Sequence, residues 1–469
     1  MSVKNELLHE ALDNILTVKK VMVTKNRIVA AIDIGTAKVA AIAGVKDEFG
    51  KITVLGCGEA ESKGVVRGSV QNVSEVASAI KAAVMKCKSV SGVDFKDVFV
   101  GIAGQNVRCT INSHSKYINS GIVTQDDIDR ITNEVYSINK EPGEEIIHVI
   151  PQGYTIDDSY VGLNPVGCPA KKLSGDFYVA VGSAGSLSAI RRAVGLAGLN
   201  IVKIILTSVA SGEAVLTVDE KEAGVLVADI GGGTTDIAVY QNRVLKTTSY
   251  VPFGGIAVTN DISTACHIIA RQAELLKTEY GSAFKMSGDK HKIAVVNSFG
   301  TDKEISFSDL AEIIIARMDE ILGSIACVVD KYGLKEKLAA GIVITGGGAK
   351  LKDIAQLVKF RLGMDVRFAQ PRYNEAGDAR FSATVGLLLK GFEYLETYEK
   401  IRSNSVSQNG TSTGGEQKNG SQNTGKPAEE KKDGKTGKKE KEGGFLSKFI
   451  AKVKNAAKDF LEDPDDTKI

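Results

Sequence analysis

The chain has 469 residues, of which 43% are apolar, 25% are charged and 49 are glycine, and its formal net charge at pH 7 is +2. This length predicts two or more globular units, and the near-neutral charge argues against a general attraction to nucleic acid. No apolar run reaches the roughly 18 residues of a membrane-spanning helix, no signal peptide opens the chain, and the scattered cysteines indicate reduced thiols in a cytosolic protein.

Residues 1–26 carry apolar residues at helical spacing and are treated as an N-terminal extension without a role. Strand-like runs then alternate with helical patterns, which is typical of a mixed α/β protein. Thr124 and Asp127 have the spacing of a capping box at the start of a helix. Strands are predicted at residues 29–34, 40–44, 98–102, 146–150, 179–181, 225–229 and 342–345, and helices at 73–86, 125–139, 187–197, 265–280 and 308–331.

The composition changes near residue 402. Residues 402–442 contain only two apolar side chains, Val406 and Ala428. Such a segment cannot bury enough surface to offset the entropy lost on ordering, so it is predicted to be a disordered linker. The two parts of the chain also differ in net charge, which is −1 for residues 1–401 and +3 for residues 402–469.

One pattern occurs twice in the body of the chain. An apolar strand, an aspartate, Ile-Gly, small polar residues and a second strand-like run follow one another at residues 29–39 and again at 225–237. The aspartates, Asp33 and Asp229, can hold Mg²⁺ through water, while the glycines admit phosphate oxygens to backbone N–H groups. Two such loops facing each other would bind the phosphates of a nucleotide, although each alone is also compatible with an ordinary hairpin turn.

The context of these loops excludes two other nucleotide sites. A P-loop and a dinucleotide fingerprint both lead from a strand into a helix, whereas β-branched residues follow both aspartate loops. A third glycine cluster, at residues 341–351, does precede a helical pattern. It would let a flat base or sugar lie against the start of that helix, with a plain strand-to-helix turn as the alternative.

These three stretches, in this order, resemble the phosphate-1, phosphate-2 and adenosine motifs of the actin/Hsp70/sugar-kinase ATPase superfamily. More narrowly, the chain resembles the FtsA family of bacterial cell-division proteins over residues 27–396 and the C-terminal helix. The segments that carry this narrower resemblance are residues 64–70, 149–157, 164–167, 252–255, 259–262, 273–277 and 383–387.

The resemblance implies an α/β, actin-like (duplicated ribonuclease H-like) two-lobed ATPase fold with a small inserted α+β subdomain, 1C. It divides the chain into lobe 1 (27–93 and 176–221) with subdomain 1C (94–175), lobe 2 (222–247 and 309–401) with subdomain 2B (248–308), the linker (402–442) and the terminal helix with its tail (443–469).

The resemblance also implies ATP and Mg²⁺ as ligands. Asp33 and Asp229 would order the water around Mg²⁺. Glu274 and Lys277 would contact the ribose, unless they belong to a solvated helix face. The phosphates would be held by Gly35, Thr36, Lys38, Gly231, Gly232, Gly233, Thr234 and Thr235, the adenine would face Gly346, Gly347 and Gly348, and Gly254 and Gly255 complete the cofactor-binding set.

No catalytic residue is predicted. Where many members of the superfamily have Glu-Pro-x-Ala-Ala, residues 207–211 of this chain are Thr-Ser-Val-Ala-Ser. The carboxylate that orients the attacking water in those relatives has no counterpart there. Because phosphoryl transfer depends on positioning and electrostatics, we expect slow or negligible hydrolysis, with the nucleotide acting as an assembly switch.

The last segment has the pattern of an amphipathic helix. At 100° per residue its apolar side chains share an arc of about 160°, with lysines on both flanks. Such a helix is predicted to lie on a bilayer, and docking on a protein groove is the alternative. One copy binds weakly, so attachment would need several copies, supplied by a polymer. The predicted membrane residues are Phe445, Leu446, Phe449, Ile450, Val453, Phe460 and Leu461.

Together these features predict an actin-like, ATP-binding protein that polymerises and tethers a division ring to the cytoplasmic face of the inner membrane at midcell. The resemblance implies FtsZ as a partner, its C-terminal tail binding subdomain 2B, along with other division proteins and no nucleic acid. An actin-like adaptor of type IV pilus assembly is one alternative. A small-molecule kinase or an Hsp70-like chaperone is another, although neither a substrate base nor a peptide-binding domain is apparent.

Overall fold

The computed structural model describes residues 27–105, 107–284, 291–296 and 302–409. The N-terminal extension, most of the predicted linker and the predicted membrane helix lie outside the described residues. The strands are β1 (Ile28–Ile34), β2 (Lys38–Lys46), β3 (Ile52–Glu61), β4 (Val65–Val66), β5 (Ser69–Val70), β6 (Asp97–Ile102), β7 (Val107–Tyr117), β8 (Glu144–Ile156), β9 (Ser159–Gly162), β10 (Lys172–Ser183), β11 (Asn200–Leu206), β12 (Val225–Ile230), β13 (Thr235–Gln241), β14 (Val244–Val251), β15 (Lys292–Val296), β16 (Asp302–Ser306), β17 (Ile342–Thr345) and β18 (Val366–Phe368).

The α-helices alternate with these strands along the chain. None of the described helices is long and apolar enough to cross a membrane. The helices are α1 (Val73–Ser91), α2 (Gln125–Tyr136), α3 (Ala184–Leu196), α4 (Thr207–Val215), α5 (Val218–Ala223), α6 (Gly255–Cys266), α7 (Ala270–Leu275), α8 (Phe307–Lys331), α9 (Ile354–Leu362) and α10 (Ser382–Asn409).

Two five-stranded sheets share one topology. In lobe 1 the order is β11-β6-β1-β2-β3, and in lobe 2 it is β14-β13-β12-β17-β18. Each sheet has an antiparallel meander of three consecutive strands, and the first strand of that meander pairs in parallel with a later one, β6 or β17. Apart from Asp33 and Asp229, the residues of β1 and β12 are apolar and mostly buried, as expected for central strands covered on both faces. The predicted duplicated, two-lobed α/β fold is confirmed.

A third sheet is inserted into lobe 1. It is antiparallel, with the order β7-β10-β8-β9, and α2 packs against it. Ile131, Tyr154, Leu173 and Phe177 are fully buried in a separate core cluster formed mainly by this sheet and helix. The chain leaves lobe 1 after β6 and returns through α3 to β11, the parallel neighbour of β6.

Local sequence explains where several helices begin and end. The side chain of Asn72 accepts hydrogen bonds at the start of α1, and Gly92 ends this helix in the left-handed conformation with φ +71°. The predicted capping box of Thr124 and Asp127 is present at the start of α2.

One predicted helix is wrong. The pattern at residues 265–280 predicted a continuous helix, but α6 ends at Cys266 and α7 begins only at Ala270. His267 has φ +53°, a left-handed conformation that ends α6. The apolar residue Ile268 that follows is buried outside either helix, so the apolar spacing continues through a break in the backbone. At the other end of the body, α10 continues to Asn409, so its last residues lie within the predicted linker.

Candidate functional site

Two aspartate hairpins face each other between the lobes. In the first, the N–H of Gly35 donates to the carbonyl of Lys38 at 3.0 Å, and in the second the N–H of Gly231 donates to the carbonyl of Thr234 at 2.9 Å. Because β2 and β13 follow these turns as antiparallel strands, the predicted hairpin geometry is confirmed for both copies.

The two hairpin loops touch. A Cβ atom added at Gly232 would lie 2.6 Å from Cβ of Ala37, and one added at Gly233 would overlap the side chain of Thr36. Side chains at these two positions would therefore push the loops apart, which explains why the second loop has glycine at both.

Three carboxyl groups meet beneath these loops. Burial raises the pKa of Asp33 to about 6, with nearby Lys38 opposing this shift, and raises the pKa of Asp229 to about 7. Asp236 is also buried, and burial raises its pKa. Its carboxylate accepts hydrogen bonds from the Thr207 hydroxyl at 2.7 Å and from the Gly104 N–H at 3.2 Å.

Sequence reasoning gave Asp236 no role. A usable signal existed, because Asp236 is a charged residue on the otherwise buried apolar strand β13.

Helix α4 supplies hydroxyl groups to these carboxylates. Thr207 and Ser211 lie one turn apart, so both side chains project from the same face of the helix. Thr207 donates to Asp236 and Ser211 donates to Asp229. The segment that provides a carboxylate in many members of the superfamily provides two hydroxyl donors here.

The loops and carboxyl groups line a cavity of about 810 Å³. Fifteen of the seventeen predicted cofactor-binding residues line it, namely Asp33, Gly35, Thr36, Lys38, Asp229, Gly231, Gly232, Gly233, Thr234, Gly255, Glu274, Lys277, Gly346, Gly347 and Gly348.

The other two predicted residues, Thr235 and Gly254, lie behind the cavity wall. The Thr235 hydroxyl is buried and donates to the carbonyl of Phe253 at 3.0 Å. Gly254 packs so closely on the backbone of Gly231 that a Cβ atom there would overlap its carbonyl oxygen. Their positions indicate a part in shaping the second hairpin rather than direct contact with a ligand.

Lys277 and Glu274 form one wall of the cavity. The ammonium group of Lys277 donates to Glu274 at 2.6 Å, to the Gly255 carbonyl at 3.0 Å and to the Thr259 hydroxyl at 2.8 Å. Glu274 also accepts a hydrogen bond from Thr259. The structure thus places both side chains at the cavity, tied to helix α6, with Glu274 also exposed to solvent.

The third glycine cluster closes the cavity from lobe 2. After β17, Gly346 has φ +89°, and a Cβ atom there would overlap the carboxylate of Asp229. A short 3₁₀ turn, Gly347–Lys350, follows and leads towards α9. A residue larger than glycine at position 346 would therefore disturb both the loop and the carboxylate.

Charged side chains form ion pairs at another part of the cavity wall. Lys38 pairs with Glu59 at 3.1 Å, Glu59 also lies 3.6 Å from Arg380, and Lys350 pairs with Asp378 at 2.5 Å. Burial lowers the pKa of Lys38. No spacing in the sequence indicates that Arg380 lines the cavity, because this residue arrives there from a turn that precedes α10.

Two similar lobes that each bring an aspartate hairpin to a shared cavity define an actin-like protein, here with an inserted antiparallel domain. The solved PilM–PilN type IV pilus biogenesis complex has this fold. It aligns with a TM-score of 0.56 and 15% identity over 77% of this chain and 98% of that chain.

Sequence relatives define the family more closely. The family model "Cell division protein FtsA" matches residues 226–386, and "SHS2 domain inserted in FTSA" matches residues 104–181, which include most of the inserted sheet. FtsA of Neisseria meningitidis serogroup B is 35% identical over 375 residues, 78% of this chain and 91% of the relative. FtsA of Escherichia coli K12 is 31% identical over 384 residues, 79% of this chain and 91% of the relative. The chain belongs to the FtsA family of cell division proteins.

Proposed function

We propose that this cell division protein binds ATP with Mg²⁺ in the cavity between its lobes. The observation that carries the proposal is the convergence of both aspartate hairpins and the third glycine loop on one cavity of about 810 Å³. In the proposed complex Thr36, Gly232 and Thr234 would face the phosphates, Lys277 and Glu274 would face the ribose, and the loop after β17 would face the adenine. The cations at the cavity, which include Lys38 and Arg380, suit a polyanionic ligand.

The carboxyl groups fit a magnesium ion. Oxygen ligands are those that Mg²⁺ prefers, and it usually keeps several waters and binds few protein carboxylates. Asp33 and Asp229 would provide those carboxylates, and the bound ion would neutralise charge on the phosphates. The described residues contain no larger cluster of acidic, His and Cys side chains that could hold a metal ion. Desolvation destabilises the ionised form of both aspartates, and a divalent cation would offset that cost.

Slow or negligible hydrolysis is part of the proposal. The Thr207 hydroxyl shares its one proton between Asp236 and the carbonyl of Ile102, and a threonine at this position cannot act as the carboxylate that the Glu-Pro-x-Ala-Ala segment provides. Nucleotide state would then act mainly on the relative position of the lobes and on assembly.

The substitution Asp229→Ala tests nucleotide binding. Mg²⁺-ATP should raise the melting temperature of the wild-type protein and leave that of Asp229→Ala unchanged, because the variant loses a metal-facing carboxylate. Asp94→Ala is the control, since Asp94 is an exposed aspartate that pairs with Lys88 and does not line the cavity. Equal protection of wild type and Asp229→Ala would contradict the proposal.

We further propose that the protein polymerises and tethers FtsZ to the cytoplasmic face of the membrane through its C-terminal helix. Family membership and the amphipathic pattern of residues 445–461 support this proposal, with the FtsZ tail binding within residues 248–308. A pilus adaptor, the alternative from the sequence, is the second candidate, although the solved pilus complex shares only the fold. A fluorescent fusion distinguishes the two, since bands at midcell support the division role and foci at the poles support the pilus role.

A further inference from the structure

A short hairpin at the edge of the cavity has an unusual turn. Strands β4 and β5 pair Val66 with Ser69, so the turn consists of Arg67 and Gly68. Both turn residues have positive φ, +49° and +78°. Asparagine and glycine are favoured at such positions, whereas a long side chain such as arginine is uncommon. An arginine held in this conformation is a reason to examine what its side chain contacts.

The tip of this hairpin reaches the loops of both lobes. The N–H of Gly68 donates to the Thr36 hydroxyl oxygen at 2.9 Å, in the first aspartate hairpin. A Cβ atom at Gly68 would lie 2.7 Å from Cβ of Ala103 and 3.5 Å from Cγ2 of Thr234, which belongs to lobe 2. Because Thr36 accepts the hydrogen bond from Gly68, its own proton remains available to a ligand in the cavity.

The side chain of Arg67 extends the same contact towards lobe 2. Its guanidinium lies 5.8 Å from the centroid of the Phe253 ring, within the range of a cation–π interaction. Phe253 follows β14, and its carbonyl accepts the hydrogen bond from Thr235 in the second aspartate hairpin. The guanidinium of Arg317 lies 5.5 Å from the same ring and is held by Asp261 at 2.6 Å.

We propose that this hairpin is a clasp across the cleft, in which Arg67 positions the two aspartate hairpins against each other and slows the release of bound nucleotide. The proposal rests on nucleotide binding in the cavity. Arg67 does not line the cavity and acts through Phe253 and Gly68, so it is a positioning residue.

A purely structural role for Arg67 predicts a different outcome. Replacing it with asparagine suits a turn with positive φ, so Arg67→Asn should leave the melting temperature of the nucleotide-free protein unchanged or raise it. If the turn were all that mattered, release of nucleotide would also be unchanged or slower. The clasp instead predicts faster release of nucleotide from Arg67→Asn, because the cation that faces Phe253 is gone.

The test measures the release of mant-ATP with Mg²⁺ from the full chain after a chase with excess ATP. We expect Arg67→Asn to speed release about three- to fivefold, the size expected for one lost cation–π contact. Phe253→Leu should speed release at least as much, because this ring also faces Arg317. Arg67→Lys should stay near the wild-type rate because it keeps the charge. The double variant of Arg67→Asn with Phe253→Leu should release no faster than Phe253→Leu alone, because the contact that Arg67 makes is already lost in that variant.

The clasp would be overturned if Arg67→Asn released mant-ATP at the wild-type rate. It would also be overturned if Arg67→Lys released mant-ATP as fast as Arg67→Asn does. Failure of the wild-type protein itself to bind mant-ATP would overturn the proposed nucleotide site, and the clasp with it. The two failures are therefore distinguishable in one experiment.

Discussion

Ionisation of Asp33 and Asp229 is less favourable in the folded protein than in the unfolded chain. Burial raises their pKa to about 6 and about 7, respectively, from an ordinary value of 3.8. Between pH 4 and 7 the folded protein therefore holds protons that the unfolded chain has released. The contribution of this pair to the free energy of unfolding falls as pH rises through that window, and the full cost is present above pH 7.

This titration predicts a pH-dependent ligand effect. Mg²⁺ binds the ionised carboxylates, so the increase in melting temperature produced by Mg²⁺-ATP should grow between pH 5.5 and 8. Asp229→Asn cannot ionise and should flatten this dependence. Thermal denaturation with and without Mg²⁺-ATP across the pH range measures both effects, and a pH-independent increase for the wild type would contradict the prediction.

Residue-level prediction from the sequence succeeded where a residue type was tied to a repeated pattern. Asp33 and Asp229 are each the last but one residue of a strand, followed by Ile-Gly, and both line the cavity. Asp236 and Arg380 were missed for different reasons. Asp236 is the second residue of strand β13, directly after the second loop. Arg380 reaches the cavity only through the path of the chain between β18 and α10, which local sequence does not specify.

Among the elements, the contact between α4 and α10 connects the carboxylate-binding helix to the last described helix. Gly386 of α10 lies against the backbone of α4, and a Cβ atom there would overlap the carbonyl oxygen of Ala210. The absence of a side chain lets the two helices approach closely at the level of Thr207 and Ser211, whose hydroxyls donate to the buried aspartates.

A matched pair of substitutions tests this contact. Gly386→Ala should lower the free energy of unfolding by about 2 kcal/mol or more, because backbone must move to admit the methyl group. Gly195→Ala, in α3, meets no atom within 4 Å and should raise it by about 0.5 kcal/mol. Urea denaturation of both variants measures the difference, and equal stability would contradict the packing described for α10.

Helices and strands were predictable from the sequence where a short segment determines their geometry. The two aspartate hairpins were predicted because β-branched residues continue on both sides of a glycine turn, which is information contained in a dozen residues. The break between α6 and α7 was not predicted, because the apolar period continues through Ile268 and nothing about a histidine specifies a left-handed backbone.

At the scale of the whole molecule, the fold was predictable because its duplication is visible in the sequence. The repeated aspartate loops implied two similar lobes, and the two sheets have matching strand orders. The strand order of the inserted sheet was not predictable, because β7 pairs with β10 across more than fifty residues. Such long-range pairings are selected by packing in the folded domain rather than by local preference.

Membrane attachment is a prediction for the complete chain. Full-length protein should sediment with vesicles containing phosphatidylglycerol, and a variant that ends at residue 442 should not, because it lacks the amphipathic segment. Phe449→Ser should weaken sedimentation, whereas Asn455→Ser on the predicted polar face should have little effect. Equal sedimentation of the full-length and truncated chains would contradict the anchor.

The first and last strands of the inserted domain bring its two ends side by side. Val107, where β7 begins, and Gly182, near the end of β10, are paired neighbours across the sheet. The ends of the domain are thus about one strand spacing apart, roughly 5 Å. If the segment between them were excised and its ends rejoined, α3 alone would link the parallel strands β6 and β11, as in a simple βαβ unit. The domain is thus attached to lobe 1 through two neighbouring chain passages, while Gly104 and the hairpins around the cavity lie outside it.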